Sequence, residues 1–192
     1  MAEMDNTRTI NMTKQFYIFL LLGFSTLNIF GQTADPAKGT SLVVYGDGFT
    51  FNVKEPSGWS GDINNAKKFY ANIIFYKSKE ALKNGDAIIQ VYNFDKQDEH
   101  TEKDLAYDIK SYQDKYKKLK QQDLTASHNT YKCYGKTVYV ENEFYQYTVY
   151  VNPGTKYKRG LSVAMNISKR PATQEELNAF KEIITSLVMV KG

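Results

Sequence analysis

The stretch LSVAMNISKRPATQEELNAFKEIITSL, residues 161–187, decides the fold class. Leu161, Val163, Met165 and Ile167 alternate with smaller or polar residues, the period-two pattern of a strand with one face against a core. Pro171, which has no N–H to give a ladder, stops that strand. Thr173 followed three residues on by Glu176 is a capping box, and it opens a helix with Leu177, Phe180, Ile183, Ile184 and Leu187 on one face. Strand, stop, cap and amphipathic helix follow one another without a linker, which predicts a sheet with a helix laid on it.

Working toward the N-terminus, the same grammar recurs. Phe144–Val151 and Leu161–Ser168 bracket Asn152-Pro153-Gly154 and a basic tip, the arrangement of a long hairpin. Tyr131–Tyr134 and Lys136–Glu141 bracket Gly135, which reads as a turn between two further strands. Before them, Leu105, Ile109, Tyr112, Tyr116 and Leu119 draw one apolar stripe along a helix of about 19 residues. Thr101 with Asp104 is a variant capping box for it, Glu102 and Asp104 suit the positive end of its dipole, and Lys115, Lys117, Lys118 and Lys120 suit the other end. Asn72–Tyr76 and Ala87–Phe94 form an earlier pair of strands, with Ser78 capping a single helical turn that ends at Asn84-Gly85. Leu42–Tyr45 and Phe49–Val53 flank Gly46-Asp47-Gly48, which holds the Asp-Gly signal of a tight hairpin. Antiparallel strands with segregated helices make the chain α+β, an antiparallel sheet with helices packed on it.

The first thirty-one residues read differently. Lys14 precedes Phe16–Phe24 (FYIFLLLGF), an apolar run too short and too interrupted to span a bilayer, and Gly31 offers a cleavage point before Gln32, with Ala34 as a second choice. This is the pattern of a signal peptide over residues 1–31, with an uncleaved anchor and a buried helix as the alternatives. Glu3 and Asp5 fit a positive leader poorly, and a start at Met12 removes them. No cysteine lies near the cleavage region, so a lipid-attached lipoprotein is excluded. Residues 32–41 read as a flexible leader and 42–192 as a single domain. The expected location is bacterial periplasm or extracellular medium, with no stable membrane insertion of the mature chain.

Composition narrows the function. Residues 1–31 hold two basic and two acidic side chains, so 32–192 keeps 23 basic against 19 acidic. This mild excess favours anionic surfaces and partners, while nucleic acid is not an expected partner for an exported chain of so modest a charge. With one cysteine, Cys133, the domain forms no internal disulfide and must stand on its apolar core.

The opening strand and the segment Phe49–Trp59 (FTFNVKEPSGW) resemble the start of PsbP-like domains, in which a short strand leads to a proline and a Gly-Trp. The long hairpin and Thr173–Val188, ending in Ile-Ile-Thr-Ser-Leu-Val, are similar to the terminal helix and last short strand of that family. The resemblance runs through residues 42–190 in element order, on a packing and turn signature rather than a chemical one. It implies an α/β/α sandwich, a central antiparallel sheet with helices on both faces, and an accessory or docking role, most often without enzymatic activity; separately, no cofactor is expected. No binding residue of the family maps onto this chain.

Five constellations carry candidate chemistry. Gly58-Trp59-Ser60-Gly61-Asp62 approaches a nucleophile elbow but lacks its last glycine and a strand-to-helix setting, and reads better as a turn with Trp59 in the core. Cys133 and His128, five residues apart on extended chain, point to opposite faces, which disfavours a thiol–imidazole pair. Asp95, Asp98, Glu99 and His100 offer ligands for a hard cation without the spacing of a calcium loop; they also suit the helix start that follows. Lys156, Tyr157, Lys158 and Arg159 form a basic, aromatic hairpin tip suited to gripping an anionic partner. Tyr139, Tyr145, Tyr147 and Tyr150 concentrate in the late strands, where tyrosine serves a contact face or a core and rim. The leading expectation is an exported, non-enzymatic protein that binds a protein or anionic envelope component through the tip. The alternatives are a metal or small-ligand carrier and a small hydrolase using Ser60 or Cys133.

Overall fold

The computed structural model describes residues 40–192 except Gly85. The segment expected to be a signal peptide, its expected cleavage sites and all but the last two residues of the expected leader lie outside the described residues. Strands β1 (Ser41–Gly46) and β2 (Phe49–Lys54) form the first hairpin, closed by Asp47 and Gly48 with Gly46 opposite Phe49. Gly48 takes φ +76°, a turn conformation that glycine adopts without steric cost. A short β3 (Ser60–Asp62) and a 3₁₀ turn at Ala66–Phe69 come next, then β4 (Ile73–Tyr76), α1 (Ala81–Asn84) and β5 (Ile88–Asp95). The N–H of Ala81 donates to Ser78 Oγ at 3.2 Å, the cap expected for that turn. Helix α2 (Thr101–Lys115) leads to β6 (Lys120–Asp123), β7 (Lys132–Val140), β8 (Phe144–Asn152) and β9 (Arg159–Ser168), and the chain closes with α3 (Gln174–Ser186) and β10 (Val188–Lys191).

The strands make two antiparallel sheets. Seven of them run in the order β3-β4-β5-β9-β8-β7-β6, and β1, β2 and β10 form a separate three-stranded sheet with β2 at its centre. The main core fills the space between one face of the large sheet (Phe75, Ile89, Val163, Met165, Val149), the inner face of the small one (Phe51, Val53, Met189) and α3 (Phe180, Ile183, Ile184, Leu187). Each large apolar side chain buried there contributes roughly 1.5–3 kcal/mol. On the opposite face of the large sheet, Leu105 and Ile109 of α2 pack with Val138 and Tyr150, and Ala66, Ile74, Tyr76 and Ile88 form a third cluster. Helices thus cover both faces of an antiparallel sheet, the expected α+β arrangement, with a second small sheet sharing the α3 side.

The capping box of α3 forms as read: Thr173 Oγ1 accepts from the N–H of Glu176 at 3.3 Å, and Glu176 accepts from the N–H of Thr173 at 2.7 Å. Arg170 grips the same carboxylate with two bonds of 2.8 Å. Other expectations need correction. Helix α2 ends at Lys115, because Tyr116 turns extended to bring Lys120 opposite Tyr139 at the sheet edge. Tyr116 and Leu119 still reach the apolar cluster beneath the helix, Tyr116 against Phe144 with ring centroids 4.9 Å apart. The capping box at Thr101 does not form: His100 is the N-cap, and Asp104 accepts from the N–H of Gln97, further back, at 3.3 Å. Gly135 is not a turn but the middle of the continuous strand β7. A Cβ at Gly135 would collide with the carbonyl oxygen of Leu124, which is why the close approach of that segment requires glycine.

Candidate functional site

The basic tip and the acidic loop, separate candidates in the sequence, meet at one end of the molecule. Strand β5 pairs with β9 so that Asp95 lies opposite Arg159, and the N–H of Lys96 donates to the carbonyl of Lys158 at 3.1 Å. Between them lies a surface hollow of about 420 Å³ lined by Asp95, Lys96, Asp98, Glu99, Thr155, Tyr157 and Lys158.

The four tip residues divide into two kinds. Tyr157 is half-buried, and its hydroxyl donates to the carbonyl of Met189 at 3.0 Å. Arg159 is also half-buried; it pairs with Asp95 at 3.1 Å and lies over the ring of Phe49, 5.6 Å from its centroid. These two fasten the hairpin to the small sheet. Lys156 and Lys158 are exposed, with the Lys156 ammonium 4.8 Å from the Tyr157 ring centroid. Half-buried and exposed side chains alternate, so two lysines stand outward on an anchored hairpin.

The acidic loop is occupied by internal partners. Asp98 pairs with Lys103 at 2.5 Å and accepts from the N–H of His100 at 2.6 Å, and these two contacts hold its carboxyl below the ordinary value. Lys96 places its ammonium 3.0 Å from the Gly154 carbonyl and 3.4 Å from Asn152 Oδ1, and feels the charges of Glu99, Asp104 and Asp98. Lys96 thus supplies a cation among the oxygens that a metal would need. Among the described residues, no group of three His, Cys, Asp or Glu side chains converges as metal ligands.

Elsewhere the candidate chemistry is committed to the fold. Burial pushes the Cys133 thiol up to about 11, the opposite of what a nucleophile requires. His128 is bonded on both nitrogens: Nδ1 accepts from the N–H groups of Thr130 and Tyr131, so Nε2 donates to the carbonyl of Leu187 at 2.9 Å. Ser60 is an exposed residue of β3, and Trp59 is buried in the main core.

The tyrosines split between the two faces of β8. Tyr139 and Tyr145 stack across β7 and β8 at 5.1 Å, and the Tyr147 hydroxyl accepts from the N–H of Ala172 at 2.9 Å. Tyr150 points to α2 and donates to Asp108, and burial raises both groups. Tyr92 lies nearby, pushed up to about 12, chiefly by burial. No reading of the sequence joined these residues, because Asp108 falls on α2 and its partners on strands far along the chain.

One further surface went unread. The outer face of the small sheet carries Val43, Val188 and Val190, which are 53%, 48% and 55% exposed. Val43 and Val188 stand in one cross-strand row on either side of Asn52. Hairpin patterning predicted β1 and β2, but the four-residue β10 is too short to announce which of its faces stays open.

No protein-family model matches the chain, and no curated protein matches it. Among solved structures it is similar to the solution structure of cyanobacterial PsbP from Synechocystis sp. PCC 6803. That likeness has 14% identity and a TM-score of 0.46, and covers 82% of this chain and 97% of that one. Among the described residues, no helix is long and apolar enough to cross a membrane.

Proposed function

We propose that this chain is an exported, non-enzymatic accessory protein that docks, through the tip of the β8–β9 hairpin, on an anionic group of a protein or cell-envelope component. The observation that carries this reading is the alternation at the tip. Tyr157 and Arg159 are tied to Met189 and Asp95, which leaves Lys156 and Lys158 exposed on a backbone that cannot fold them away. An ordered hairpin removes the backbone share of the entropy lost on binding, so only the rotamer freedom of the two lysine side chains remains to be lost. The hollow beside them adds carboxylates that would repel an anion placed off the tip, so the surface selects for position as well as charge.

The test is double charge reversal at Lys156→Glu and Lys158→Glu, leaving Arg159 in place because it holds Asp95. Recovery of envelope partners with the tagged protein from the exporting cell is expected to collapse, and the wild-type interaction is expected to weaken steeply with added salt. Unchanged recovery from the double variant would refute docking at the tip.

A further inference from the structure

Two apolar clusters cover the α2 side of the large sheet and leave a hollow between them. One is Leu105 and Ile109 of α2 with Val138 and Tyr150; the other is Ala66, Ile74 and Ile88, with Phe69 of the 3₁₀ turn packed on it. The hollow has a volume of about 330 Å³, and its floor is polar. In β5, Ile89 and Val91 enter the main core, so Gln90 points to the opposite face; Met165 and Ile167 of β9 do the same for Asn166. Asn166 stands across the ladder from Ile88, in the row next to Gln90.

These two amides differ from their neighbour. Gln146, opposite Asn166 on β8, is buried and donates to Thr148 Oγ1 at 3.1 Å. Gln90 and Asn166 are half-buried, and neither side chain has a hydrogen-bond partner among the described residues. Each therefore brings two donors and an acceptor that the fold leaves unused. Aromatic rings wall the hollow, Phe69 on one side and on the other Phe144, which packs against Tyr116 with ring centroids 4.9 Å apart. Asp86 and Glu143 stand exposed at the rim, and the N–H of Lys169 donating to the Glu143 carbonyl at 3.0 Å ties that rim to the end of β9. Among the described residues no lysine, arginine or histidine lines the hollow. Arg170, which feels Asp86 from outside, has its fork on Glu176.

We infer that this hollow binds a neutral saccharide. Amides that offer donors and acceptors side by side suit hydroxyl groups, each of which gives one hydrogen bond and accepts others. The rim carboxylates accept from hydroxyls and repel phosphate, sulfate or a further carboxylate. The two phenylalanines supply apolar area, and the negative face of such a ring attracts the C–H face of a sugar. A simple cation would satisfy the carboxylates but would meet the N–H donors of Gln90 and Asn166, so the mixed floor favours hydroxyls over positive charge. The volume falls at the small end of ligand pockets, roughly 300–1,000 Å³. Gln90 and Asn166 sit on paired strands within the sheet, so their backbone is already ordered for binding. Ile88 and Asp95 are seven residues apart on β5, which puts the hollow roughly 23 Å from the hairpin tip at about 3.3 Å per residue. The inference is therefore independent of docking at the tip.

Magnetic resonance titration of the isotope-labelled protein tests it. The probes are the methyl glycosides of glucose, galactose and mannose, N-acetylglucosamine, and the β-1,4-linked dimers of glucose and of N-acetylglucosamine, with inorganic phosphate and spermidine as charged counterparts. At least one saccharide is expected to shift the side-chain NH₂ signals of Gln90 and Asn166 in the wild-type protein, a readout that needs no variant. Gln90→Ala and Asn166→Ala break no side-chain hydrogen bond of the fold, and each is expected to weaken binding roughly three- to tenfold, the worth of one hydrogen bond. The Lys156→Glu, Lys158→Glu variant is expected to bind the saccharide as the wild type does. NH₂ signals that no saccharide moves, equal affinity in both alanine variants, or a response to phosphate or spermidine without one to saccharides each overturns the inference.

Discussion

Replacing Glu176 with glutamine isolates the junction that joins the last long strand to the last helix. The side chain is buried, accepts from the N–H of Thr173 at 2.7 Å and receives two bonds of 2.8 Å from Arg170. Glutamine keeps the size and one acceptor, so the change removes the charge and one arm of the guanidinium fork. A hydrogen bond to a charged group is worth about 1.5–3 kcal/mol, and the lower part of that range applies because the Arg170 side chain is 41% exposed. Losing a negative charge from the first turn of α3 adds about 0.3–1 kcal/mol. Glu176→Gln is therefore expected to cost about 2–3 kcal/mol, a fall in melting temperature of roughly 5–10 °C for a domain of this size. Burial alone would raise the Glu176 carboxyl, but Arg170 and the N–H of Thr173 outweigh it and hold the folded-state value below the ordinary 4.5. The stabilisation is thus present above that value and lost as pH falls through the lower folded value, so the gap between the two proteins should close in acid. Glu175→Gln is the internal control: it also lies in the first turn of α3, but its side chain is 70% exposed and pairs with Lys77 at 2.7 Å, so the exposed pair and the dipole together should cost about 0.5–1.5 kcal/mol. Thermal unfolding at several pH values measures all of this. Equal costs for the two glutamine variants would refute the assignment of Glu176 as the anchor of α3.

Three other outcomes follow from the interior. Burial raises the Asp108 carboxyl despite the bond from Tyr150, so its charge opposes folding, and stability falls as pH rises from the ordinary 3.8 through the raised folded value. Asp108→Asn is expected to stabilise the protein at neutral pH and lose that gain below the ordinary aspartate range, as denaturant midpoints at pH 7 and pH 3 will show. Gly135→Ala, which drives a methyl group into the Leu124 carbonyl, should cost about 1–3 kcal/mol or more by chemical denaturation. With its thiol near 11 rather than the ordinary 9.0, Cys133 should alkylate at pH 8 about a hundredfold more slowly in the native protein than in denaturant.

The parts legible in the sequence are those where local signals and tertiary packing agree. The Asp-Gly turn fixed the register of β1 on β2, and Thr173 with Glu176 marked the start of α3 at the residue where it begins. Errors fell where the tertiary structure overrides a local preference. The apolar stripe through Tyr116 and Leu119 continues in space but not as helix, because a turn brings both side chains to the same cluster. Strand β6 has no apolar residue; its place rests on backbone pairing and on the pairs Lys120–Glu141 and Lys136–Asp123. At the candidate site, each tip residue was legible by type but not by role. That Arg159 is an anchor and Lys158 is free follows from the pairing of β5 with β9, which brings Asp95 across from residues more than sixty positions later. The meeting of tip and acidic loop was hidden for the same reason.

The account turns on Lys156 and Lys158 as the point of docking, and site-specific photocrosslinking in the cell that makes the protein tests that most directly. A photoreactive residue at position 155, exposed beside the two lysines, is expected to give a discrete adduct with an envelope component, reduced when Lys156 and Lys158 are changed to Glu. The same residue at the exposed position 79 is expected to give none. An identical adduct from both positions, or none from position 155 while the protein is present and folded, contradicts it.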